Sequence, residues 1–203
     1  NAISNSNINA TYINNTANWD GGANYFQSSV SNSNINGTYN NNTAKNRGGA
    51  NHFESVSNSN INGTYNNNTA TYGGANNFWN SVSNSNVTGT YINNTSPNSI
   101  IYFQDGLDQG LNLKVTNAIF LNNKCEYEVY ARTQGVVVKD CWFGNNASNY
   151  MNEPNNYNVQ MDNWLFLNAT ADYSSLSIMN SSNITFKLYS TNGADVSVFD
   201  NSK

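Results

Sequence analysis

The chain has 203 residues, of which 37% are hydrophobic, 13% aromatic and only 10% charged, with a net charge of −4. Disordered chains are usually charge-rich and aromatic-poor, so this composition argues for a folded protein. No cluster of Lys and Arg suits phosphate neutralisation, which argues against nucleic acid as a partner. No apolar run is long enough to span a bilayer as a helix, so membrane attachment is expected only through regions outside this chain.

Asn takes the place of charge, with 47 residues in all. Its side chain competes for backbone hydrogen bonds, so few helices are expected. Residue 1 is Asn and falls inside a repeat, so a processed product or an excised fragment is expected.

In chain order, the first elements are four near-copies of one phrase: SNSNINATYINNTA, SNSNINGTYNNNTA twice, and SNSNVTGTYINNTS. Their aromatic residue falls at Tyr12, Tyr39, Tyr65 and Tyr91, and continues in degenerate form at Phe120, Phe143 and Phe166. Steps of 23 to 29 residues are too short for propeller blades, and the chain lacks both long amphipathic segments and a leucine lattice. The period fits one coil of a parallel β-helix, all-β and a solenoid of about seven rungs over residues 1–180. In such a coil, each inward side chain stacks on its equivalent about 4.8 Å away.

Four columns are expected inside. Two are aliphatic: Ile8, Ile35, Ile61 and Val87, then Val30, Val56 and Val82. Two are aromatic: Tyr12 through Phe166, then Phe26, Phe53 and Phe78. Asn pairs such as Asn14–Asn15 follow each aromatic where a bend is needed, and Asn tolerates the left-handed backbone region. Stacked Asn side chains also pair amide to carbonyl in ladders. Gly21–Gly22, Gly48–Gly49 and Gly73–Gly74 mark a second bend, each followed by a small Ala. Segments 96–110 and 149–158 are expected to loop out of the coil. At residues 181–203, alternation at Ile184, Phe186 and Leu188, then TNG, then Val196 and Val198, reads as a terminal β-hairpin. That hairpin either caps the stack or begins a following Ig-like domain.

The matches YINNTANWDGGA, YNNNTAKNRGGA and YNNNTATYGGA resemble the repeats of adhesin-like surface proteins of methanogenic archaea. They are also similar to the repeats of chlamydial polymorphic membrane proteins. The resemblance implies a right-handed parallel β-helix at a cell surface, extracellular, used for attachment to a glycan or protein of another cell. Tyr replaces Phe in the first four units, and Gly-Gly-Ala is missing from the last three.

Many β-helix proteins act on acidic polysaccharides, which makes catalysis an alternative for this chain. Glycoside hydrolysis needs two carboxylates facing each other across a cleft. The tightest acid groups are Asp105 with Asp108 in a Gly-rich turn, and Glu126 with Glu128, expected on one strand face where they would repel. Arg132, Lys139 and Asp140 come nearest to lyase chemistry, but Asp140 shares a rung position with Asn117 and Asn163 and reads as part of a polar column. The favoured expectation is therefore a non-enzymatic adhesin-like module without cofactor or metal. A self-associating envelope subunit and a polysaccharide-active enzyme are the alternatives.

The candidate ligand-binding residues are the variable outward positions. Trp19, Arg47 and Tyr72 lie just before Gly-Gly in successive rungs, and two further sets, Tyr25, His52 and Asn77, and Gln27, Glu54 and Trp79, flank the inward Phe column. His52 is expected to point outward. Cys125 and Cys141 fall in different columns and are expected to remain small thiols. Glycosylation sequons occur at Asn9, Asn36, Asn62, Asn86, Asn146, Asn168 and Asn183, among others.

Overall fold

Alternation of apolar and polar residues sets the strands, and the two Asn-rich and Gly-rich bends set their length. The computed structural model describes residues 2–104, 112–132, 135–144, 156–157, 159–171 and 183–190. The first unit supplies β1 (Ile3–Ser4), β2 (Asn7–Ile13) and β3 (Thr16–Ala17); the second supplies β4 (Asn24–Ser31), β5 (Asn34–Asn40) and β6 (Thr43–Ala44). The third supplies β7 (Asn51–Ser57), β8 (Asn60–Ile61) and β9 (Thr64–Asn66), and the fourth β10 (Asn76–Ser83) and β11 (Asn86–Ile92). There follow β12 (Ser99–Phe103), β13 (Leu113–Leu121), β14 (Tyr127–Ala131), β15 (Val136–Trp142), β16 (Asn156–Tyr157), β17 (Gln160–Ala171) and β18 (Ile184–Ser190).

These strands form a parallel β-solenoid. One sheet runs β1-β4-β7-β10-β12-β14-β16, and the other runs from β2 through β5, β8, β11, β13 and β15 to β17 and β18. A third, narrow face pairs Thr16, Thr43, Thr69, Thr95 and Lys124 in sequence. This face closes five levels among the described residues, and the solenoid makes about five turns rather than seven. Among the described residues, the later units at Phe143 and Phe166 extend the two larger sheets.

Register follows the repeats. Ile8, Ile35, Ile61, Val87, Val115 and Val138 align in one column. Val30, Val56 and Val82 align in another. The burial of β5 alternates along its length, and Ile35 and Tyr39 have no exposed surface. Tyr12, Tyr39, Tyr65, Tyr91, Phe120 and Phe143 stack face to face with ring centroids 4.7 to 5.2 Å apart. Phe26, Phe53, Phe78 and Phe103 stack at 4.7 to 5.0 Å. Strand spacing forces these separations, which match those of favourable offset aromatic pairs.

The two Asn residues of each bend divide the work. The first, at Asn14, Asn41, Asn67, Asn93 and Asn122, takes φ between 53° and 58° and turns the chain. The second points inward and builds a ladder, Asn15 to Asn42 to Asn68 to Asn94 to Asn123, with amide-to-carbonyl distances of 2.8 to 3.2 Å. Its polarity is fixed by the main chain. The backbone N–H of Asn42 donates to Asn68 Oδ1 at 3.0 Å, so the oxygen must face that rung. A further ladder, Asn24 to Asn51 to Asn76, lines the start of the other sheet. Stacked in this way, buried amides are satisfied without charge.

At the second bend, Gly49 lies so close to the next rung that an added Cβ would sit 2.0 Å from the Gly74 carbonyl oxygen. Ala50 and Ala75 follow, fully buried. Where the fourth repeat lacks Gly-Gly-Ala, the chain continues as β12, which is buried along its whole length and pairs with β10 and β14. Residues 99–103 are therefore a core strand rather than part of an outward loop, because SIIYF is apolar on both faces and both faces are covered. Residues 105–111, with Asp105 and Asp108, lie outside the described residues, as do 149–155 and 158; residues 156–157 pair with β14.

The terminal strand β18 pairs antiparallel with β17, from Leu165 opposite Ser190 to Ala171 opposite Ile184. Phe166 meets Tyr189 there at 5.8 Å. The expected second arm at Val196 and Val198 lies outside the described residues.

Candidate functional site

The first hundred residues contain only five ionisable groups besides Tyr: Asp20, Lys45, Arg47, His52 and Glu54. Four of them converge on one outward patch across the first three rungs. Backbone register aligns Asp20, Arg47 and Tyr72 at the Gly-Gly bend. Beside them, Tyr25, His52, Asn77 and Tyr102 align on β4, β7, β10 and β12. Trp19 therefore stands one residue outside the column expected for it, with Asp20 in its place, and projects into solvent at 75% exposure.

Bulges shape the patch. β4 and β10 each carry one more residue than β7 between the inward Phe and Val, so register shifts on both sides of Glu54. A bulge re-aims neighbouring side chains, and here three donors gather on the Glu54 carboxylate. Tyr25 Oη donates to Oε1 at 3.0 Å, Asn80 Nδ2 donates to Oε2 at 2.9 Å, and His52 Nε2 lies 3.3 Å from Oε1. Arg47 pairs with Asp20 at 3.2 Å and lies 3.4 Å over the ring of Trp79. Tyr25 packs edge-on against His52, and Tyr72 edge-on against Tyr102.

His52 does not point into water as expected. Its side chain is fully buried beneath these neighbours. Burial depresses its pKa, opposed by the nearby Asp20 and Glu54 carboxylates, and keeps the imidazole neutral at pH 7. Five buried polar atoms of the patch have no hydrogen-bond partner: Asp20 Oδ1, Arg47 Nε, His52 Nδ1 and both side-chain heteroatoms of Asn77. The patch thus combines exposed aromatic faces (Trp19, Tyr25 and Tyr72) with the partly exposed charged side chains of Asp20, Arg47 and Glu54. Sugars and polar protein loops are recognised by that mixture.

The other candidate groups are dispersed. Glu126 is exposed in the bend before β14, whereas Glu128 is buried, so the two do not share a strand face as expected. Asn163 Nδ2 donates to Asp140 Oδ1, which joins Asp140 to the anticipated polar column. Asn117 and Asp140 adopt φ near +50° at bulges of β13 and β15. Lys139 pairs with Asp162 at 2.8 Å in a half-exposed position. Among the described residues, no three His, Cys, Asp or Glu side chains group as metal ligands. Cys125 and Cys141 are free thiols, Cys141 fully buried, and burial raises both pKa values.

Glu128 was not legible as a structural residue. Asn123 Nδ2 donates to Glu128 Oε2 at 3.1 Å and to the Tyr91 carbonyl at 3.0 Å. In the rungs above, the equivalent first bond goes to the next Asn, so Glu128 supplies the oxygen that the ladder would otherwise take from another amide. Burial drives its pKa from 4.5 up to about 7, against the hydrogen bonds from Asn123 and Cys125.

Of the sequon residues, Asn9, Asn36, Asn62 and Asn183 are exposed. Asn86 is half-buried, and its Oδ1 accepts the Thr116 hydroxyl at 2.7 Å. Asn146 lies outside the described residues, and Asn168 falls within β17. Asn9 and Asn36 are direct cross-strand neighbours. One strand spacing is narrower than a branched glycan, so adjacent rungs of this column cannot both carry one.

The fold and this patch define a parallel β-solenoid with internal Asn ladders and a concentrated aromatic and charged surface site. No protein-family model, curated protein or solved structure matches the chain.

Proposed function

We propose that the protein is a non-enzymatic, adhesin-like module of a cell surface, a rod that attaches to a glycan or protein of another cell through the patch around Trp19, Tyr25, Arg47, Tyr72 and Trp79. The observation that carries this reading is where the variation falls. In the first three units the inward columns and bend residues are copied almost unchanged, while charge and large aromatics enter at outward positions of one neighbourhood. Packing requires repetition only of inward residues, so a varied outward cluster is free to serve recognition. Its exposed rings offer stacking faces for sugar, and Arg47 and Asp20 offer directional polar contacts.

A glycan array followed by titration of the strongest hit tests this. Trp19→Ala and Tyr25→Ala, both at exposed positions, are expected to weaken binding at least several-fold with unchanged circular dichroism. Binding that persists in the double variant would exclude the patch as the attachment site.

A further inference from the structure

Two stretches of this chain are identical over sixteen residues: 29–44 and 55–70 both read SVSNSNINGTYNNNTA. Each contains an Asn-Gly pair, Asn36–Gly37 and Asn62–Gly63. Any difference in how these pairs behave in the folded protein must come from the fold. The fold treats them differently.

Asn36–Gly37 lies inside the unbroken strand β5, with both residues in register against Asn9 and Ala10 of β2. At Asn62–Gly63 the strand is broken, since β8 ends at Ile61 and β9 begins at Thr64. The Gly63 N–H donates to the side-chain Oδ1 of Asn62 at 2.8 Å instead of to a neighbouring strand. The next rung is irregular as well. There β11 and β13 shift register between Val87 and Gly89, Gly89 takes φ +128°, and the Thr88 carbonyl accepts the Tyr91 hydroxyl at 3.1 Å. Parallel register would offer the Thr88 carbonyl to the Gly63 amide, but no backbone bond forms between them.

We infer that Asn62 is a site of spontaneous covalent self-modification, converting to aspartate or isoaspartate through a cyclic imide with Gly63, while Asn36 is protected. The Gly63 nitrogen is held against the Asn62 side-chain carbonyl, and no Cβ at residue 63 obstructs the approach. Holding the two groups together lowers the entropy cost of reaching an attacking geometry once the amide proton is lost. Asn62 faces outward, exposed to the water the reaction consumes, while Gly63 is buried beside the Tyr39 and Tyr65 rings. A solvent base removes the Gly63 amide proton, and the nitrogen attacks Asn62 Cγ. The N–Cγ bond forms, the Cγ–Nδ2 bond breaks, and the side-chain nitrogen leaves as ammonia after gaining a proton. Water then opens the five-membered imide at either carbonyl. The net change is one amide plus water to one carboxylate plus ammonium, with no redox step. The product places a negative charge on the neutral outward column of Asn9, Asn36 and Asn62, and the isoaspartyl product lengthens the backbone between β8 and β9.

Peptide mass spectrometry on the purified chain, incubated at mildly alkaline pH and 37 °C, tests this without a variant. Lys45 and Arg47 separate the two sites into different tryptic peptides. In the folded protein, modification of Asn62 is expected to outpace that of Asn36 several-fold. In denaturant, where local sequence alone acts, the two rates should converge. Equal rates in the folded protein, faster reaction at Asn36, or no reaction at Asn62 would each overturn the inference.

Discussion

Asn68 is fully buried at the centre of the inner ladder and takes part in four hydrogen bonds. Its Oδ1 accepts from the backbone N–H and the Nδ2 of Asn42, both at 3.0 Å, and its Nδ2 donates to the Tyr39 carbonyl and to Asn94 Oδ1, both at 3.0 Å. Each such bond contributes roughly 0.5–1.5 kcal/mol net, so Asn68→Ala should cost about 2–6 kcal/mol. The upper part of that range is expected, because partners in both neighbouring rungs are stranded inside the stack. Asn67 supplies the comparison. It is exposed, sits at φ 56° and makes one ladder bond, to Asn41. Its replacement by Ala should cost only about 1–2 kcal/mol, through left-handed backbone strain. Urea denaturation followed by far-ultraviolet circular dichroism measures both. Because a stack can lose rungs locally, the comparison is valid only where the slope with urea is unchanged. Equal destabilisation by the two variants, or the larger loss at Asn67, would refute the idea that inward amides hold the rungs together.

Glu128 makes stability depend on pH. Its folded pKa, about 7, stands above the unfolded 4.5, so the native state binds the proton more tightly between those values. Stability therefore falls as pH rises from about 4.5 to about 7, by up to about 3 kcal/mol from this group. Glu128→Gln keeps an oxygen for Asn123 and should remove that decline, exceeding the wild type at pH 8 and converging with it near pH 4; parallel pH profiles would contradict this. Gly49→Ala would put a methyl 2.0 Å from the Gly74 carbonyl oxygen. Moving the rungs apart should cost at least about 1–3 kcal/mol, read as a lower urea midpoint, and an unchanged midpoint would show that the bends are looser than described.

The inward columns were legible because a stack demands the same side chain at the same place in every rung. Ile35 over Ile61, Tyr39 over Tyr65 and Phe53 over Phe78 all follow from the repeat alone. The Asn pairs were legible as bends and as a ladder, but which Asn does which required the backbone: only the first of each pair has positive φ. β12 was misplaced because the greater length of that unit suggested a loop, although SIIYF is a short continuous apolar run of the kind found in buried strands. The site was half legible. Trp19, Tyr25, Arg47, Tyr72 and Trp79 were marked by varying at outward positions. Glu54 was marked as a varying outward position, but Asp20 and Asn80 were missed, because the bulges that shape the cluster are differences of one residue between rungs. His52 was misjudged because an outward position on a strand is buried here by its neighbours' side chains, which alternation alone does not report. Glu128 was hidden for a similar reason, since its role depends on where the ladder from Asn123 ends.

The most direct test of the whole account is a distance between labels at Thr11 and Thr64, two exposed positions separated by 53 residues of chain. Thr11 aligns with Thr38 and Thr38 with Thr64. Two strand spacings put the labelled backbone positions about 10 Å apart. Strong dipolar broadening in the paramagnetic resonance spectrum of the doubly labelled protein, absent from each single label and lost in denaturant, is the predicted result. A folded protein whose double-label spectrum equals the sum of its singles would contradict the in-register stack on which the columns, the ladders and the surface patch all depend.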